Sequence, residues 1–521
     1  MERMALTKRA QRKALLLTLS SAAVAATLAA PAQATAGQHA SPTLAWKPCA
    51  ADSAGSTGAG MECATLPVPL DYRKPTGPHI SIAVSRLRSD RPTARRGTLL
   101  VIPGGPGGSG NGKLAIVGEG LRKETRGAYD IVSLDPRGVG DSTRADCKLG
   151  EDDLDVAHLR PWPGPDGDIS DSVKRARRMA ESCTRNGGEL IRSFSTANEV
   201  RDIDRFRQAL GEEKLSAWGT SYGTYVGAVY AQKYPERTDR WVLDSSGDPD
   251  PSRAERGWLA NMSGAADDRF PDFAKWAADP RRDKKHRVAE RPEDVRPLFL
   301  SLAAKLDRVP DRSADGKPQL TGNQLRATMQ QALYSDTSFD RLAALIVSAR
   351  DAGDKPVPFE PARATSSEAA VSIGVICNDV RWTGSIPDYA RDVKADRARH
   401  PLTAGMPVGV MPCAFWPYDP ADKPARITSD GPKNVLMVQY LRDPATPHRG
   451  ALKMREAFGD RARMVSVNAG GHGVYLGSGD LVDSGDKRAN ACADRAVTTF
   501  LTTGHRPASD ALCTAAGMET K

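Results

Sequence analysis

Three residue types in this chain have the chemistry and the chain order for nucleophilic catalysis. The first is Ser221, in Gly219-Thr-Ser-Tyr-Gly223. A G-x-S-x-G sequence turns a strand into a helix so sharply that the serine oxygen is pushed into solvent. A hydroxyl is a poor nucleophile until a base removes its proton, and the base needs a carboxylate to fix its tautomer and stabilise its cation. Among eight histidines, His39 precedes any core, His286 sits in a charged run, and His448 and His505 flank helices. His472, in Ala469-Gly-Gly-His-Gly473, follows a β-prone run, and its small neighbours let the ring reach over a sheet. For the acid, Asp443 in Tyr440-Leu-Arg-Asp-Pro-Ala-Thr-Pro447 follows another such run and is held by two prolines. Asp244 is the runner-up, and an ordinary Asp-Pro turn is the competing reading of Asp443.

These groups need a frame. A short β-prone run ends at Gly219, and an alanine- and aromatic-rich helical run begins at Tyr222. Gly97-Thr-Leu-Leu-Val-Ile102 has the length and β-branched content of a buried parallel strand. It ends in Pro103-Gly-Gly-Pro-Gly-Gly-Ser-Gly110. A phosphate loop is the rival reading, but Gly112-Lys113 is followed by Leu114, where Ser or Thr is required. The loop reads better as the source of one oxyanion donor beside a serine elbow.

Further strands are predicted at Ile80–Leu87, Tyr129–Leu134, Arg240–Leu243, Lys433–Tyr440 and, as the last, Arg463–Val467. Asp135-Pro-Arg-Gly-Val-Gly-Asp-Ser142 reads as a structural turn near the site. Thr196–Leu210 reads as a helix with Thr196 as cap and Glu199 completing a capping box. Strand–helix alternation of this kind argues an α/β chain with a doubly wound, mostly parallel sheet. From about Pro249 to Pro424 the alternation stops, and three helical stripes (Val295 to Leu306, Leu325 to Leu333, Leu342 to Ile346) predict a large helical cap inserted between sheet strands. The expected organisation is a signal peptide over 1–36, a flexible leader over 37–60, core over 61–248, cap over 249–424 and core again over 425–521.

The formal charge is +9, of which residues 1–36 carry a net +4, and no basic run marks a nucleic-acid partner. Lys8 to Lys13, the apolar Ala14–Ala30 and Ala32-Gln-Ala34 have the pattern of a cleaved export signal, so a secreted protein with no membrane contact after processing is expected. Asn261-Met-Ser263 matches a glycosylation acceptor. All eight cysteines lie beyond the signal, which predicts disulfides. Pairing sequential neighbours gives Cys49–Cys63, Cys147–Cys183, Cys377–Cys413 and Cys492–Cys513, one of about 105 pairings open to eight cysteines. No C-x-x-C or H-x-x-x-H pattern occurs, so no metal is expected.

Taken together, Gly-Thr-Ser221-Tyr-Gly, Pro103-Gly-Gly-Pro-Gly107, Asp135-Pro-Arg-Gly-Val-Gly-Asp-Ser142, Asp443-Pro-Ala-Thr-Pro447 and Gly471-His472-Gly473 resemble the secreted tripeptidyl aminopeptidase branch of the proline iminopeptidase family of α/β-hydrolases. The resemblance covers roughly residues 60–515. Pro103 stands where proline iminopeptidases usually carry histidine, which moves the chain toward the peptidyl branch. The resemblance implies an exopeptidase that cuts two- to four-residue pieces, most often tripeptides, from free N-termini; no cofactor is expected, and the chain is expected to be a monomer. Ser221 would attack, His472 would act as base and Asp443 would orient it. The N–H groups of Tyr222 and Gly105 would hold the oxyanion. Asp379, in Cys377-Asn-Asp-Val-Arg-Trp382, would meet the substrate's ammonium group or else pair with Arg381. A secreted esterase with the same triad, and a non-catalytic peptide binder, are the alternatives.

Overall fold

The β-branched runs around the serine become the middle of one sheet. The computed structural model describes residues 43–50, 60–252, 256–313, 316–477, 490–514 and 517–520. The expected signal peptide, 1–36, lies outside the described residues. Three strands come first: β1 (Lys47–Pro48), β2 (Met61–Pro69) and β3 (His79–Leu87). Next are β4 (Gly97–Ile102), β5 (Tyr129–Leu134), β6 (Leu215–Thr220) and β7 (Thr238–Asp244). After the cap come β8 (Val435–Arg442), β9 (Ala462–Gly470), β10 (Ala511–Thr514) and β11 (Gly517–Thr520).

The strands are ordered β1-β2-β3-β5-β4-β6-β7-β8-β9-β10-β11. Pairing is parallel from β5 across to β10 and antiparallel at both edges, which is the doubly wound α/β-hydrolase sheet. Register brings the strand ends to one edge. Ile102 lies beside Gly219, Thr220 beside Asp244, Asp244 beside Val438, and Arg442 beside Gly470. Loops that leave β4, β6, β7, β8 and β9 therefore meet above the carboxyl ends of the strands, where open α/β sheets bind ligands.

Period-two alternation divides the apolar residues between two layers. Leu100, Ile102, Ala217, Trp241 and Leu243 pack with helices Thr196–Ala209, Tyr222–Lys233 and His448–Phe458. Leu99, Val101, Trp218 and Val242 pack with helices Gly110–Glu124 and Ala491–Thr503. Between β7 and β8 the cap helices Arg256–Ala277, Pro292–Leu306, Gly322–Ala332 and Phe339–Asp351 enclose an apolar core of their own around Phe270, Phe299, Met329 and Ile346. Helix Ser366–Asp379 instead packs into the sheet's own core through Ala370 and Val371.

All four disulfides join sequential neighbours as expected: Cys49–Cys63, Cys147–Cys183, Cys377–Cys413 and Cys492–Cys513. Among the described residues no helix is long and apolar enough to cross a membrane. Three local expectations differ from what is found. The sheet does not end at β9, because β10 and β11 extend it beyond helix Ala491–Thr503; their four residues each are too short to show a period. Lys47–Pro48, in the expected leader, pairs with β2 next to the Cys49–Cys63 bridge. Helix Thr196–Ala209 is capped by Ser195, whose side chain accepts from the Asn198 N–H, so Thr196 and Glu199 are released from capping.

Candidate active site

Ser221 sits between β6 and helix Tyr222–Lys233 with φ 59° and ψ −127°, a left-handed region that a side-chain-bearing residue rarely occupies. The two flanking glycines have a steric reason. A Cβ at Gly219 would lie 2.5 Å from the Gly223 carbonyl oxygen, and one at Gly223 would lie 2.4 Å from that of Pro103. The loop after β4 reaches the serine through Gly104, where a Cβ would come within 3.0 Å of Ser221 Cβ and 3.6 Å of its Oγ. Gly105 follows with φ 119°, and the Gly108 N–H closes the turn on the Gly104 carbonyl at 3.1 Å.

That loop is braced from below. Ser109 donates to Asp135 Oδ1 at 2.6 Å, and Asp135 also accepts the N–H groups of Asn111 and Asp141. Burial holds the Asp135 carboxyl above its usual range, partly offset by those donors. The Asp135–Ser142 turn is thus a scaffold for the glycine loop, in keeping with its reading as a structural element.

His472 and Asp443 meet. Nδ1 of His472 lies 3.0 Å from each oxygen of the Asp443 carboxylate. Asp443 is 1% exposed. Its Oδ1 accepts the N–H groups of Ala445 and Thr446 at 2.9 Å, and Oδ2 accepts Gln439 Nε2 and the Thr446 hydroxyl at 3.2 Å. A carboxylate so surrounded by donors is fixed in orientation. The cap supplies a second support: the His472 N–H donates to the Tyr334 carbonyl at 2.9 Å, and the Tyr334 ring meets the imidazole edge-on at 5.0 Å between centroids.

Asp244, the alternative acid, is turned to other work. Its carboxylate accepts the N–H groups of Val474 at 2.8 Å and Tyr475 at 2.9 Å and the indole N–H of Trp218 at 3.2 Å. Its backbone carbonyl accepts the Ser221 N–H at 3.0 Å, and the neighbouring Ser245 hydroxyl accepts the Gly473 N–H at 2.8 Å. The end of β7 thus ties the serine elbow and the histidine loop to one point. Beneath the elbow, Lys113 donates to Thr220 Oγ1 at 2.6 Å and lies over the Trp218 ring. Burial pulls its pKa down to about 8, against the opposing pull of Asp244.

Tyr222 begins the helix after the elbow, at the end whose amides have no acceptor one turn back. Its hydroxyl donates to Glu199 Oε2 at 3.2 Å and contacts Thr196 Oγ1 at 2.8 Å. Asp379 accepts both the Thr196 N–H, at 2.9 Å, and the Thr196 hydroxyl. Arg381 pairs with Asp419 and not with Asp379. Asp379 is thus bonded to Thr196 at the start of helix Thr196–Ala209, whose hydroxyl also contacts that of Tyr222. Sequence reasoning missed Thr446, Gln439, Tyr334 and Lys113 as supports. Only Thr446 had a local signal, its place in the loop after Asp443.

A family model described as TAP-like protein matches residues 401–513, the return of the cap and the second half of the core. The chain is 33% identical to a tripeptidyl aminopeptidase of Streptomyces lividans over 484 residues, which cover 90% of this chain and 86% of that protein. It is 28% identical to the serine protease Hip1 of Mycobacterium tuberculosis over 491 residues, covering 90% of each. It is also 26% identical to carboxylesterase B of Mycobacterium tuberculosis over 472 residues, covering 87% of this chain and 86% of that one. The likeness to the Streptomyces enzyme runs through both halves of the core and the whole cap, and the chain belongs to the tripeptidyl aminopeptidase-like family of α/β-hydrolases, as a serine hydrolase of peptidase type.

Proposed function

We propose that the protein is a secreted, monomeric serine exopeptidase that releases short peptides, chiefly tripeptides, from free N-termini. The observation that carries the reading is the buried Asp443–His472 pair, tied through the end of β7 to the strained Ser221 elbow with the Gly104 loop against it. In this mechanism Ser221 Oγ attacks the scissile carbonyl carbon while His472 Nε2 takes its proton. Asp443 keeps the other ring nitrogen protonated and stabilises the imidazolium. The N–H groups of Tyr222 and Gly105 receive the oxyanion. His472 then returns the proton to the departing amine, and water hydrolyses the acyl-enzyme by the same steps. Secretion is supported by the four disulfides together with the signal pattern of residues 1–36.

The relative named carboxylesterase B favours ester hydrolysis as a second reading of the same machinery. The test is turnover of Ala-Ala-Ala and Ala-Ala-Pro chromogenic amides, with free and blocked N-termini, beside short fatty esters. The proposal predicts fast cleavage of free tripeptides and none in Ser221→Ala. Blocked peptides cleaved as fast as free ones would refute the exopeptidase assignment, and esters alone would favour the second reading.

A further inference from the structure

We infer that the carboxylate of Glu199 receives the free amino terminus of the substrate, and that its separation from the Tyr222 amide sets the released piece at about three residues. This rests on the exopeptidase reading above and assigns the group that such an enzyme needs for its substrate's ammonium.

Glu199 lies one turn into helix Thr196–Ala209 and is 5% exposed. One of its oxygens accepts from Tyr222. Among the described residues the other accepts no hydrogen bond, and no lysine, arginine or histidine forms an ion pair with the carboxylate. Among the described residues the neighbouring charges have other partners. Asp379, from the cap, is held by Thr196. Asp202, on the same helix, is paired with Arg137 at 2.6 Å and bonded by Tyr72. Arg137, from the turn after β5, also donates to the carbonyls of Pro69 and Leu70. Glu199 is thus a buried acid facing two other acids, with no cation of its own among the described residues. Burial, with Asp202 and Asp379 adding to it, pushes its pKa up to about 8 against the Tyr222 bond. A buried acid without a partner is destabilising unless a ligand completes it.

Glu199 lines a narrow cleft that opens to solvent, walled by Pro106, Gly107, Arg137, Phe194, Ser195 and Val375. Pro106 and Gly107 belong to the same loop as Gly104, where an added Cβ would come within 3.0 Å of Ser221 Cβ, so the cleft and the serine share that loop. Tyr222 measures the distance. Its backbone amide is at the oxyanion, and its hydroxyl, at the far end of the side chain, is bonded to Glu199. An extended tripeptide spans about 10 Å, comparable with one tyrosine side chain plus the hydrogen bond at its tip. A dipeptide falls short by one residue, and a tetrapeptide must buckle.

Peptide ammonium groups titrate near pH 8. The ion pair therefore forms without net proton exchange near pH 8. At lower pH, binding must expel a proton from Glu199.

The variant Glu199→Gln keeps the shape and the Tyr222 contact and removes the charge. It should raise KM for free Ala-Ala-Ala amides by at least about 30-fold, the scale for losing one partner of a buried charge pair, with kcat near wild type. Turnover of short esters, which carry no ammonium group, should fall by a much smaller factor, and KM for free tripeptides should lose its fall between pH 6 and 8. A KM for free tripeptides within twofold of wild type, or an equal rise for blocked peptides, overturns the inference. An independent measurement uses Ser221→Ala: calorimetry of Ala-Ala-Ala binding at pH 6.5 in two buffers should show about one proton released per peptide bound, and none released overturns the inference without relying on Glu199→Gln folding. If the wild-type enzyme itself fails to prefer free over blocked peptides, the exopeptidase reading fails. If it does prefer them and Glu199→Gln keeps that preference, only the Glu199 assignment falls.

Discussion

Two aspartates stand at neighbouring strand ends beneath the site, and paired asparagine substitutions separate their roles. In Asp443→Asn, Oδ1 can still accept the Ala445 and Thr446 amides, which leaves the new amide group facing His472 Nδ1. An amide N–H there forces Nδ1 to become an acceptor and moves the ring proton to Nε2, where it blocks removal of the serine proton. Loss of the correct tautomer in such a triad lowers kcat by about 10⁴. Stability changes less, because only the Gln439 and Thr446 side-chain donors lose an acceptor, and the Thr446 hydroxyl also bonds the Ser245 carbonyl. Asp244→Asn differs. Val474 N–H binds one carboxylate oxygen, while Tyr475 N–H and the Trp218 indole share the other. An asparagine satisfies one side and turns donors toward donors on the other, at a site that is 0% exposed. Each unsatisfied buried group costs about 1–3 kcal/mol, so the variant should lose at least about 2 kcal/mol of stability. Tripeptide-amide kinetics and urea unfolding of both variants are the assay. Asp443→Asn is expected to lose about 1–3 kcal/mol for the Gln439 donor with kcat depressed about 10³–10⁴-fold, and Asp244→Asn to lose at least as much stability with a smaller loss of rate. Asp443→Asn that keeps a tenth of wild-type activity, while Asp244→Asn loses nearly all, would refute the assignment.

Gly104→Ala places a methyl 3.0 Å from Ser221 Cβ and 3.1 Å from the Thr220 carbonyl oxygen; kcat should fall about 10²–10³-fold, the scale for one lost oxyanion donor, with an unchanged melting curve as the control. Glu199→Gln should also alter the pH dependence of stability. The folded carboxyl titrates at about 8 against an ordinary 4.5, so between those values the native state binds more protons than the unfolded chain and wild-type stability falls as pH rises; the variant should lack that slope, and identical slopes in urea titrations at pH 5 and 8 would contradict it. Replacing Cys377 and Cys413 by serine opens a link across a sequence separation of 36, for which loop entropy predicts a loss of about 3–4 kcal/mol, readable as a lower denaturation midpoint with KM raised more than kcat is lowered, since the bridge anchors the helix that walls the Glu199 cleft.

The strands that carry the site were legible because each is a short β-branched run with a glycine, proline or aspartate at its end. Gly97–Ile102 and Tyr129–Leu134 keep their predicted bounds. The serine, its glycines and the histidine were legible for a steric reason: a sharp elbow and a ring reaching over a sheet admit few neighbours. What the sequence hid is contact between segments far apart in it. Tyr334 reaches His472 across 138 residues of chain, and nothing in Leu333-Tyr-Ser335 signals it. Cap placement at Thr196 failed by one residue because Ser195 and Thr196 offer the same hydroxyl chemistry, and only the helix's first amides choose between them.

The choice between Asp244 and Asp443 shows what a linear reading lacks. Both follow an apolar run, and both could be drawn beside a histidine. The sheet order decides. β7 lies between β6 and β8, so Asp244 is flanked by the serine strand on one side and by β8 on the other, and its carboxylate is taken up by the backbone leading away from His472. β8 lies against β9, so the residue just past its end stands beside the loop that carries the imidazole. Asp244 then has a different use, for its carbonyl holds the Ser221 N–H while its carboxylate holds Val474 and Tyr475. A displacement of the whole residue, backbone and side chain, would move the Ser221 support and the Val474–Tyr475 support together. For that reason Asp244→Asn should slow acylation and deacylation by similar factors, and an effect confined to one step would count against a shared anchor.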